Sequence, residues 1–556
     1  MCIISNGAVI PETEDVLLKK WKVNSVTGMQ SVEKPEYCVF NNTQHALEIL
    51  KHHIERNSNI VFHADVDVDG IGTTYIFKKT LEYLGSNRHL LVINKDKVHG
   101  IQQKHVDYFR DKPVDLVIIT DSSSNEIEII KQFNCDVICI DHHELLHNDL
   151  CGTCNDGVHK YVIVNNTISN YEFNENKLWL TKIKPDTFEN IKEYVGTQDM
   201  SCGLVVYELL RLYCRCFGDE NLLENLMLYQ WVGVTLFTDV INTLNDRNQW
   251  YINKTVFNND IEKSLGTMMH KITRYKATLD KSYINYSFAP LINKAIRAGK
   301  SSEALDIVIN HPEDICNLNA YRQMQQDAVD KACYVKVVNP VTKVETKNPL
   351  TFTSPVIELN IGNLGINKNY SGVIASRLSG DNSKNAAVYI INEKGLCKGS
   401  FRGLHPTVDY RKYFADYSDD VYAQGHPSAF GFELKKEQLD DIMGHIKEIE
   451  PQQEDRPFFS IGNIRSDKMG IYHITDFDKF KKLGYIWKMA TGNSKVTSTD
   501  EVTIRVSASD VSLESTSGKL FIYKVLGMEC RAFKALAGEY FDIYIEYTNE
   551  ITMYIK

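Results

Sequence analysis

The sequence has no long apolar run, few prolines and no surplus of basic residues. No stretch of about 18 apolar residues occurs, which excludes a transmembrane helix. The first residues, MCIISNGAVIPETED, lack the basic start and apolar run of a secretory signal. Only 13 of the 556 residues are proline, 24% are charged and 43% are hydrophobic, which excludes a mainly disordered or collagen-like chain. We therefore expect a globular protein without membrane contact.

The cysteine content and the net charge indicate the cellular compartment and the kind of partner to expect. The 13 cysteines are odd in number and spread along a large chain, which indicates reduced thiols in the cytoplasm. The net charge is −10, so global attraction to nucleic acid is not expected. Any polyanionic partner must instead be held by a local basic patch or by bound metal.

The hydrophobic pattern predicts an α/β protein of several domains. Short runs rich in valine and isoleucine alternate with helical patterns over 59–165, which is typical of a parallel sheet buried on both faces. We assign a catalytic domain to 1–255 and a helical connector to 256–335. A second α/β domain follows over 336–450. The aromatic, alternating segments of 451–556 predict a β-rich C-terminal module.

The segment HADVDVDG is the first candidate site. It places His63, Asp65, Asp67 and Asp69 at alternate positions directly after an apolar strand, and alternate side chains of an extended chain share a face. Several carboxylates on one face repel each other unless cations neutralise them. Oxygen ligands with an imidazole suit Mn²⁺ or Mg²⁺ better than zinc. A calcium-binding EF-hand loop is excluded, because its last position is isoleucine rather than glutamate.

Polar residues also follow three later apolar segments. Asp121 ends one strand, Asp141-His142-His143 ends another, and Asp239 closes the buried element of 228–240, which we interpret as a strand. Ligand sites of open α/β sheets lie beyond the carboxyl ends of the strands, so these residues are expected to converge. Each alone is also typical of a helix N-cap region or a polar surface.

Taken together, these motifs resemble the DHH phosphoesterase superfamily, and within it the RecJ-like single-strand exonucleases. FAPLINKAIRAGKSSEAL is similar to the family's connector segment. YSGVIASRLSG, KGSFRG and QGHPSAFGF are similar to the three motifs of the DHH-associated domain. The resemblance covers roughly 59–435 in family order. It implies a DHH catalytic domain followed by a DHH-associated substrate-binding domain.

The resemblance implies two divalent ions, Mn²⁺ or Mg²⁺, with six ligands: His63, Asp67, Asp69, Asp121, His142 and Asp239. His63 and Asp67 would ligate one ion, and Asp121 would bridge both. Two cations a few ångström apart would activate water and neutralise the leaving oxygen of a phosphodiester.

The same resemblance implies the ligands of the second ion and the roles of three further residues. Asp69, His142 and Asp239 would hold the second ion. His143 would face the scissile phosphate, and Asp141 would orient a histidine. Asp65 would support the metal ligands as a neighbouring carboxylate that does not itself bind an ion.

The second domain contributes the phosphate-binding residues that the resemblance implies: Arg377, Ser400, Arg402 and His426. Arginine, hydroxyl and imidazole donors suit a terminal phosphate or backbone phosphates. Two residues depart from the family pattern. Gln424 stands where the first glycine of a Gly-Gly-His motif is usual, and Phe430 stands where an alanine is usual.

Two features stay open. Cys151 and Cys154, with His159 behind them, fit part of a zinc site, but no fourth ligand is evident. The C-terminal module resembles no family that we can name. It could bind single strands as OB-folds do, bind a protein partner, or only cover the catalytic domain.

The expected function is metal-dependent exonucleolytic hydrolysis of single-stranded DNA, with RNA as a further substrate to test. A 5′ to 3′ direction, release of mononucleotides and a role in DNA repair, recombination or replication rest on the resemblance alone. A DHH phosphodiesterase acting on oligoribonucleotides or cyclic dinucleotides is the enzyme alternative. A non-catalytic replication-associated relative is the other alternative, although the full set of carboxylates argues against it.

Overall fold

A computed structural model describes most of 33–447 and, with it, separate strands at both ends of the chain. Within 33–447 the residues left undescribed are 96, 169–171, 193–199, 240, 242–244, 257, 259, 274–278, 339–344, 405–407 and 419. The end segments described are 2–5, 464–466, 472–474, 496–497, 502–508, 511–517, 520–525, 528–532, 535–536, 540–547 and 551–555. No helix among these described residues is long and apolar enough to cross a membrane.

The first domain is built on a six-stranded sheet of order β3-β2-β4-β5-β7-β6, parallel except for β6. The strands are β2 (Ile60–Ala64), β3 (His89–Ile93), β4 (Leu116–Thr120), β5 (Asp136–Asp141), β6 (Cys151–Thr153) and β7 (Lys160–Asn165). Ile118 packs into one apolar core, while Val117 and Ile119 pack into a second core on the other face. Both faces are therefore buried, and the predicted parallel α/β sheet is confirmed.

Helices cover this sheet. They are α1 (Thr43–Glu55), α2 (Val68–Tyr83), α3 (Gln103–Phe109), α4 (Ile127–Ile130), α5 (Phe173–Ile183), α6 (Pro185–Phe188), α7 (Cys202–Phe217), α8 (Leu222–Asn225), α9 (Tyr229–Thr238) and α10 (Asp246–Val256). The interpretation of 228–240 as a strand is wrong, because most of that segment is α9. The segment is buried almost throughout, and a continuous apolar run does not distinguish a strand from a buried helix.

Small residues let the helices of this layer approach closely. A Cβ atom on Gly203 of α7 would lie 2.9 Å from the Cβ atom of Thr235 in α9. A Cβ atom on Gly233 of α9 would lie 2.7 Å from the Cβ atom of Thr255 in α10. These contacts fix α9, whose C-terminal end carries Asp239.

The connector is helical, as expected. It consists of α11 (Lys263–Ile272), α12 (Lys281–Tyr283), a π-helix (Ile284–Phe288), α13 (Ala289–Arg297), α14 (Ser301–Asn310), a 3₁₀ segment (Pro312–Ala320) and α15 (Tyr321–Cys333). The hairpin of β8 (Tyr334–Val338) and β9 (Glu345–Pro349) then leads to the second domain.

The second domain has a five-stranded mixed sheet of order β10-β11-β12-β14-β13. Its strands are β10 (Val356–Asn360), β11 (Asn385–Ile391), β12 (Cys397–Arg402), β13 (Tyr422–His426) and β14 (Ala429–Leu434). Its helices are α16 (Ser371–Asn382), α17 (Tyr410–Ala415) and α18 (Lys436–Ile446), with short 3₁₀ turns at Ile361–Leu364 and Lys368–Tyr370.

The C-terminal part is β-rich, as predicted. A sheet of order β1-β18-β22-β23-β21-β20-β19, with β17 beside β22, contains these strands: β1 (Cys2–Ser5), β17 (Val496–Thr497), β18 (Val502–Ser507), β19 (Val511–Ser517), β20 (Leu520–Val525), β21 (Met528–Ala532), β22 (Tyr540–Tyr547) and β23 (Ile551–Ile555). A separate hairpin joins β15 (Ile464–Ser466) and β16 (Tyr472–Ile474). The N-terminal strand β1 pairs with β18, so it lies in this sheet and not with the domain to which we assigned it.

The close contact of Gly233 with Thr255 predicts a measurable effect on stability. Gly233→Ala should lower the free energy of unfolding by about 1–3 kcal/mol, because the added methyl group overlaps the neighbouring helix. Trp231 in α9 is a fluorescent reporter for urea unfolding of this layer. Gly444→Ala in α18 is the matched control, since a Cβ atom there meets nothing within 4 Å. It should be neutral or stabilising by about 0.5–1 kcal/mol, and equal effects of the two changes would contradict the packing argument.

Candidate metal centre and phosphate-binding cleft

The polar strand ends converge as expected. β2, β4 and β5 are neighbours in the sheet, and their carboxyl ends carry three of the sequence motifs. The C-terminal end of α9 brings Asp239 to the same place. A cavity of about 420 Å³ opens there, and its lining includes Asp67, Asp69, Asp121, His142, His143, Asp239, Asn285, Asn293 and Arg297.

The turn after β2 fixes two carboxylates. Asp67 caps α2, and its Oδ1 accepts a hydrogen bond of 2.9 Å from the backbone N–H of Gly70. A Cβ atom at Gly70 would lie 2.8 Å from the Cβ atom of Asp65, so this turn requires glycine. Asp69 is buried and accepts hydrogen bonds from the backbone N–H groups of Cys202 at 3.0 Å and Gly203 at 3.2 Å.

Asp121 lies at the centre of the carboxylate group. Its backbone has a φ of +67°, a left-handed conformation that is uncommon for residues other than glycine and is often found at functional sites. The backbone N–H donates to the carbonyl oxygen of Ile140 at 2.9 Å. Burial, and then the charges of Asp69 and Asp67, raise the pKa of the Asp121 carboxyl well above its usual value.

His63 is a buried imidazole suited to metal binding. Neither of its ring nitrogens has a hydrogen-bond partner within the described part of the chain. Burial lowers the pKa of His63 to about 3, so the ring is neutral and can offer a lone pair. A buried polar group without a partner is costly, and ligation of a cation would satisfy it.

His142 points its free nitrogen at two carboxylates. Its Nδ1–H donates to the carbonyl oxygen of Met200 at 2.9 Å, which fixes the tautomer with a lone pair on Nε2. That Nε2 atom lies 3.2 Å from Oδ1 of Asp121 and 3.4 Å from Oδ2 of Asp239. Burial lowers the pKa of His142, which favours the neutral, ligating form.

His143 differs from its neighbour in charge. Its Nδ1–H donates to Oδ1 of buried Asp141 at 2.7 Å, and Asp141 also accepts from the hydroxyl of Ser124 at 2.7 Å. Although burial opposes it, the Asp141 carboxylate raises the pKa of His143 to about 10. His143 is therefore a cation at neutral pH, held at the rim of the cavity.

Asp65 has a partner that the sequence did not indicate. Its Oδ2 accepts from Nδ1–H of His99 at 2.5 Å, and its Oδ1 accepts from the backbone N–H of Gly100 at 3.2 Å. Burial alone would raise the pKa of Asp65, but the charge and hydrogen bond of His99 lower it. His99 lies on a loop without a recognisable motif, so only the folded chain identifies it.

The described residues contain candidate cation sites in which the ligand atoms lie within 4.8 Å of one another. Three of these groups lie at the cavity: Asp69 with His142 and Asp239, Asp65 with Asp67 and Asp121, and Asp121 with His142 and His143; a fourth, exposed group is His311 with Glu313 and Asp314. The first group has the composition expected for the second ion. At the position expected for the first ion, the structure brings Asp65 together with Asp67 and Asp121. His63 lies outside these three groups. The donor set and the unpartnered nitrogens of His63 fit divalent cations.

A cluster of basic residues adjoins the carboxylates. Burial, and then the charges of Arg297 and Arg402, lower the pKa of Lys97 to about 8. Burial and the charge of Arg297 lower the pKa of Arg402 to about 10. None of the three forms an ion pair with a carboxylate among the residues that the structure describes. We call Lys97, Arg297 and Arg402 the basic cluster. Like charges held close together without a direct ion pair are typical of an anion site.

The other predicted phosphate-binding residues are placed differently. The Ser400 hydroxyl lies 2.8 Å from that of Ser371, at the N-terminal end of α16, and so borders the basic cluster. Arg402 donates from Nε to Ser376 at 3.1 Å. Arg377 turns away and lies 3.8 Å from Asp381, so it is not brought into the cluster. The backbone of His426 pairs with Ala429 in β13, and its side chain lies outside the described part of the structure.

The cysteines form no metal cluster within the described residues. The thiol of Cys154 is buried and lies 3.8 Å from the carbonyl oxygen of Cys135, while Cys151 is exposed. His159 pairs with Asp156 at 2.6 Å instead of facing the thiols. Cys135, Cys151 and Cys154 are free thiols.

Comparison with known proteins agrees with this geometry. Residues 59–164 match the DHH family, N-terminal domain. The chain carries a DHH domain. It is 25% identical over 443 residues to the putative SPbeta prophage-derived single-strand DNA-specific exonuclease YorK of Bacillus subtilis, a match covering 72% of this chain and 68% of that protein. It is 20% identical over 421 residues to the single-stranded-DNA-specific exonuclease RecJ of Bacillus subtilis, covering 73% of this chain and 47% of RecJ.

The fold is also that of a solved relative. RecJ from Thermus thermophilus in complex with Mn²⁺ matches 94% of this chain and 72% of its own length, with a TM-score of 0.61 and 14% identity. The resemblance to RecJ-like proteins is thereby confirmed, and the DHH homology supports a phosphodiesterase of the hydrolase class that binds divalent metal.

The raised pKa of Asp121 predicts opposite effects on metal binding and on stability. Asp121→Asn should reduce metal-dependent phosphodiester hydrolysis by at least about 10³-fold, because it removes charge that holds the cations. The metal-free variant should unfold at a higher temperature than the metal-free wild type. An acid whose folded pKa is raised stabilises fully below its unfolded pKa of about 4, and that stability is lost as pH rises through the folded pKa.

Calorimetry at pH 4 and pH 7, with and without Mn²⁺, checks both effects. The gain of the metal-free variant should be larger at pH 7, and the Mn²⁺-induced rise in Tm should be smaller than in the wild type. Asp107→Asn on α3 is the matched control, since its side chain is about half exposed and contacts only Arg110 and Gln103 among the described residues. Full activity of a folded Asp121→Asn protein would disprove a role for this carboxylate.

Proposed function

We propose that the protein is a metal-dependent exonuclease that hydrolyses single-stranded DNA from its 5′ end and releases mononucleotides. The observation that carries the proposal is that one member of the basic cluster lines the cavity of the carboxylates. Arg297 lines the same cavity as Asp121 and Asp239, and its charge acts on Arg402 of the second domain. A terminal phosphate held by the basic cluster would leave the next phosphate near the carboxylates.

The second domain supports recognition of a phosphate. Ser400 and Arg402 stand beside the N-terminal end of the twelve-residue helix α16, where backbone N–H groups and the helix dipole favour anions. A Cβ atom on Gly372 in the first turn of α16 would lie 3.0 Å from Nη2 of Arg402, so the guanidinium reaches this end of the helix closely. Arginine with a hydroxyl and helix N–H groups suits phosphate oxygens.

Two divalent cations would be held by the carboxylates with His142 and His63, and when bound they would activate water and stabilise the leaving oxygen. The chain's own groups do the rest. His143, cationic at neutral pH, would donate from Nε2 to a phosphate oxygen and balance charge that develops there. Asp141 holds the ring in that orientation. His99 holds Asp65 in place beside Asp67 and Asp121.

The strand polarity, the preference for DNA and the biological setting come from the resemblance and from the relatives. YorK and RecJ are named as single-strand DNA-specific exonucleases. We propose the same substrate for this chain, with a role in DNA repair, recombination or replication. Buried free thiols such as those of Cys139 and Cys202 are typical of a reducing compartment, and we propose the cytoplasm.

One assay tests the proposed function. Purified protein with Mn²⁺ is incubated with 5′- and 3′-labelled single strands of DNA and RNA, with a duplex, and with cyclic and linear dinucleotides. Release of labelled mononucleotide from the 5′ end at the earliest times is expected, with slower loss of the 3′ label. Preference for dinucleotides would favour a small-substrate phosphodiesterase, and inactivity on every substrate would favour a non-catalytic role. Asp121→Asn controls for a contaminating nuclease.

The basic cluster predicts a separation of binding from chemistry. Arg402→Ala should raise KM by roughly 10- to 150-fold, because one charge-assisted phosphate contact of about 1.5–3 kcal/mol is lost. The dependence of binding on salt should become shallower, since one fewer phosphate is neutralised. The change in kcat should be smaller, because every carboxylate of the centre stays in place.

Arg377→Ala is the matched control for that variant. It removes an arginine from the same helix-and-sheet layer, but one that faces Asp381 instead of the cleft. We expect near-normal KM for this control, contrary to what the sequence indicates. A fall in kcat with unchanged KM and salt dependence in Arg402→Ala would place Arg402 at the scissile phosphate instead.

A further inference from the structure

The sheet of the second domain has one closed face and one face that is only partly covered. On the closed face Phe401, Phe430 and Phe432 pack into an apolar core. On the other face α16 packs against β11 and β12, where Ala386 and Val388 join the core around Ile374. Beyond β12 this face continues over β14 and β13 with half-buried or exposed residues.

The register aligns the side chains of this uncovered face in rows that run across β12, β14 and β13. Ser400 of β12 is opposite Gly431 of β14, and Gly431 is opposite Gln424 of β13. Residues paired across antiparallel strands point to the same face. The Ser400 side and the Gln424 side are therefore separated by a glycine, and a Cβ atom at Gly431 would meet nothing closer than 3.7 Å.

The neighbouring rows extend this trough. Arg402 is opposite Ala429, which carries only a methyl group. In the row on the other side Glu433 of β14 is opposite Tyr422 of β13. The floor thus consists of Gly431 and Ala429, with Glu433 at the end nearest Tyr422, where it pairs with Lys398 of β12 at 2.5 Å. One wall contains Ser400 and Arg402, and the other contains Gln424 and Tyr422. Adjacent strands lie about 4.8 Å apart, so the walls stand about 10 Å apart.

The wall on β13 consists of the exposed ring of Tyr422 and the side-chain amide of Gln424, which are joined by a hydrogen bond. The Tyr422 hydroxyl donates to Oε1 of Gln424, which leaves the amide NH₂ group able to donate to a ligand. Tyr422 is 52% exposed. Partial burial, and then the charges of Glu126, Glu433 and Asp65, raise the pKa of Tyr422, and Glu126 and Asp65 belong to the catalytic domain.

We propose that this trough binds the base of the terminal nucleotide whose phosphate sits on Ser400 and Arg402. The inference rests on the proposed exonuclease function and deepens it. The sugar would lie over Gly431 and Ala429, the ring of Tyr422 would contact the base, and the Gln424 amide would donate to a base oxygen or nitrogen. Aromatic contact and amide donation are how proteins hold unpaired bases.

The identity of residue 424 gives the proposal its sharpest test. The family pattern identified from the sequence has glycine at this position, and glycine would leave the wall without an amide. Gln424→Gly therefore removes the proposed contact without introducing a foreign group. Tyr422→Phe keeps the ring but removes the hydroxyl that positions the amide, and Tyr422→Ala removes both.

The experiment measures binding of 5′-phosphorylated ligands by titration calorimetry in the absence of divalent metal, so that hydrolysis plays no part. The ligands are the four deoxynucleoside 5′-monophosphates and 2-deoxyribose 5-phosphate, which lacks a base. The wild type should bind the nucleotides about 5- to 30-fold more tightly than the sugar phosphate. Gln424→Gly and Tyr422→Phe should each reduce this ratio by about 5-fold, and Tyr422→Ala should bring it close to one.

Two controls separate the base from the phosphate and from folding. Arg402→Ala should weaken the binding of nucleotides and of the sugar phosphate to the same extent and leave the ratio of the two affinities unchanged. Tyr413→Ala removes a comparably exposed tyrosine from α17 of the same domain and should leave both affinities unchanged. Circular dichroism of each variant checks that the fold is kept.

The outcomes distinguish this inference from the proposed function. Equal affinity of the wild type for nucleotides and sugar phosphate would overturn the base contact, as would an unchanged ratio in both Gln424→Gly and Tyr422→Ala. If the ratio behaves as expected but the protein hydrolyses no single strand, the base contact stands and the exonuclease function is wrong. If strands are hydrolysed from the 5′ end with no base-dependent ratio, only the base contact is wrong.

Discussion

The mutual repulsion of buried carboxylates is the constraint on which the rest of this structure depends. Asp65, Asp67 and Asp121 place oxygen atoms within 4.8 Å of one another. At an effective dielectric constant of about 20, two unit charges at that separation repel by about 3.5 kcal/mol. A few such pairs equal the whole stability of a typical domain. The folded chain therefore needs cations, protonation or compensating donors at this edge of the sheet.

The backbone supplies part of that compensation. N–H groups from Gly70, Gly100, Cys202 and Gly203 donate to these carboxylates, and each lies at a turn or in the first turn of a helix. Such donors favour the charged form without adding a titratable group. They offset only part of the repulsion, since the pKa of Asp69 stays raised by burial and by the charges of Asp239 and Asp67. The remaining imbalance is what divalent cations would remove.

The sequence predicted the carboxylates better than the basic cluster for a physical reason. Asp121 and Asp141 follow strands, and the ends of adjacent parallel strands must meet at one edge of a sheet. Lys97 lies in a loop and Arg297 in a connector helix, and no periodic pattern relates these two to Arg402. Asp239 was placed correctly although its element was misread, because α9 ends beside His142, whose Nε2 atom lies 3.4 Å from Oδ2 of Asp239.

Arg377 shows that membership of a motif does not fix the direction of a single side chain. It belongs to the segment that resembles the family, but successive residues of a helix point about 100° apart. Ser376 faces Arg402, so its neighbour Arg377 turns toward Asp381. Motif membership therefore located the helix but did not determine which of its side chains faces Arg402.

The connector helix α13 links the two halves of the cleft. Arg297, at its last position, lines the cavity of the carboxylates and acts electrostatically on Arg402 of the second domain. The two guanidinium groups of Arg297 and Arg402 repel each other. They stay close only if an anion lies between them or if the packing around them is rigid. Gln325 of α15 accepts from Arg297 at 2.8 Å and supplies such a fixed neighbour. In the proposed reaction, the spacing between the bound and the reacting phosphate would therefore depend on helix packing in the connector. A change in α13 or α15 would then alter which bond reaches the carboxylates without touching either proposed binding group.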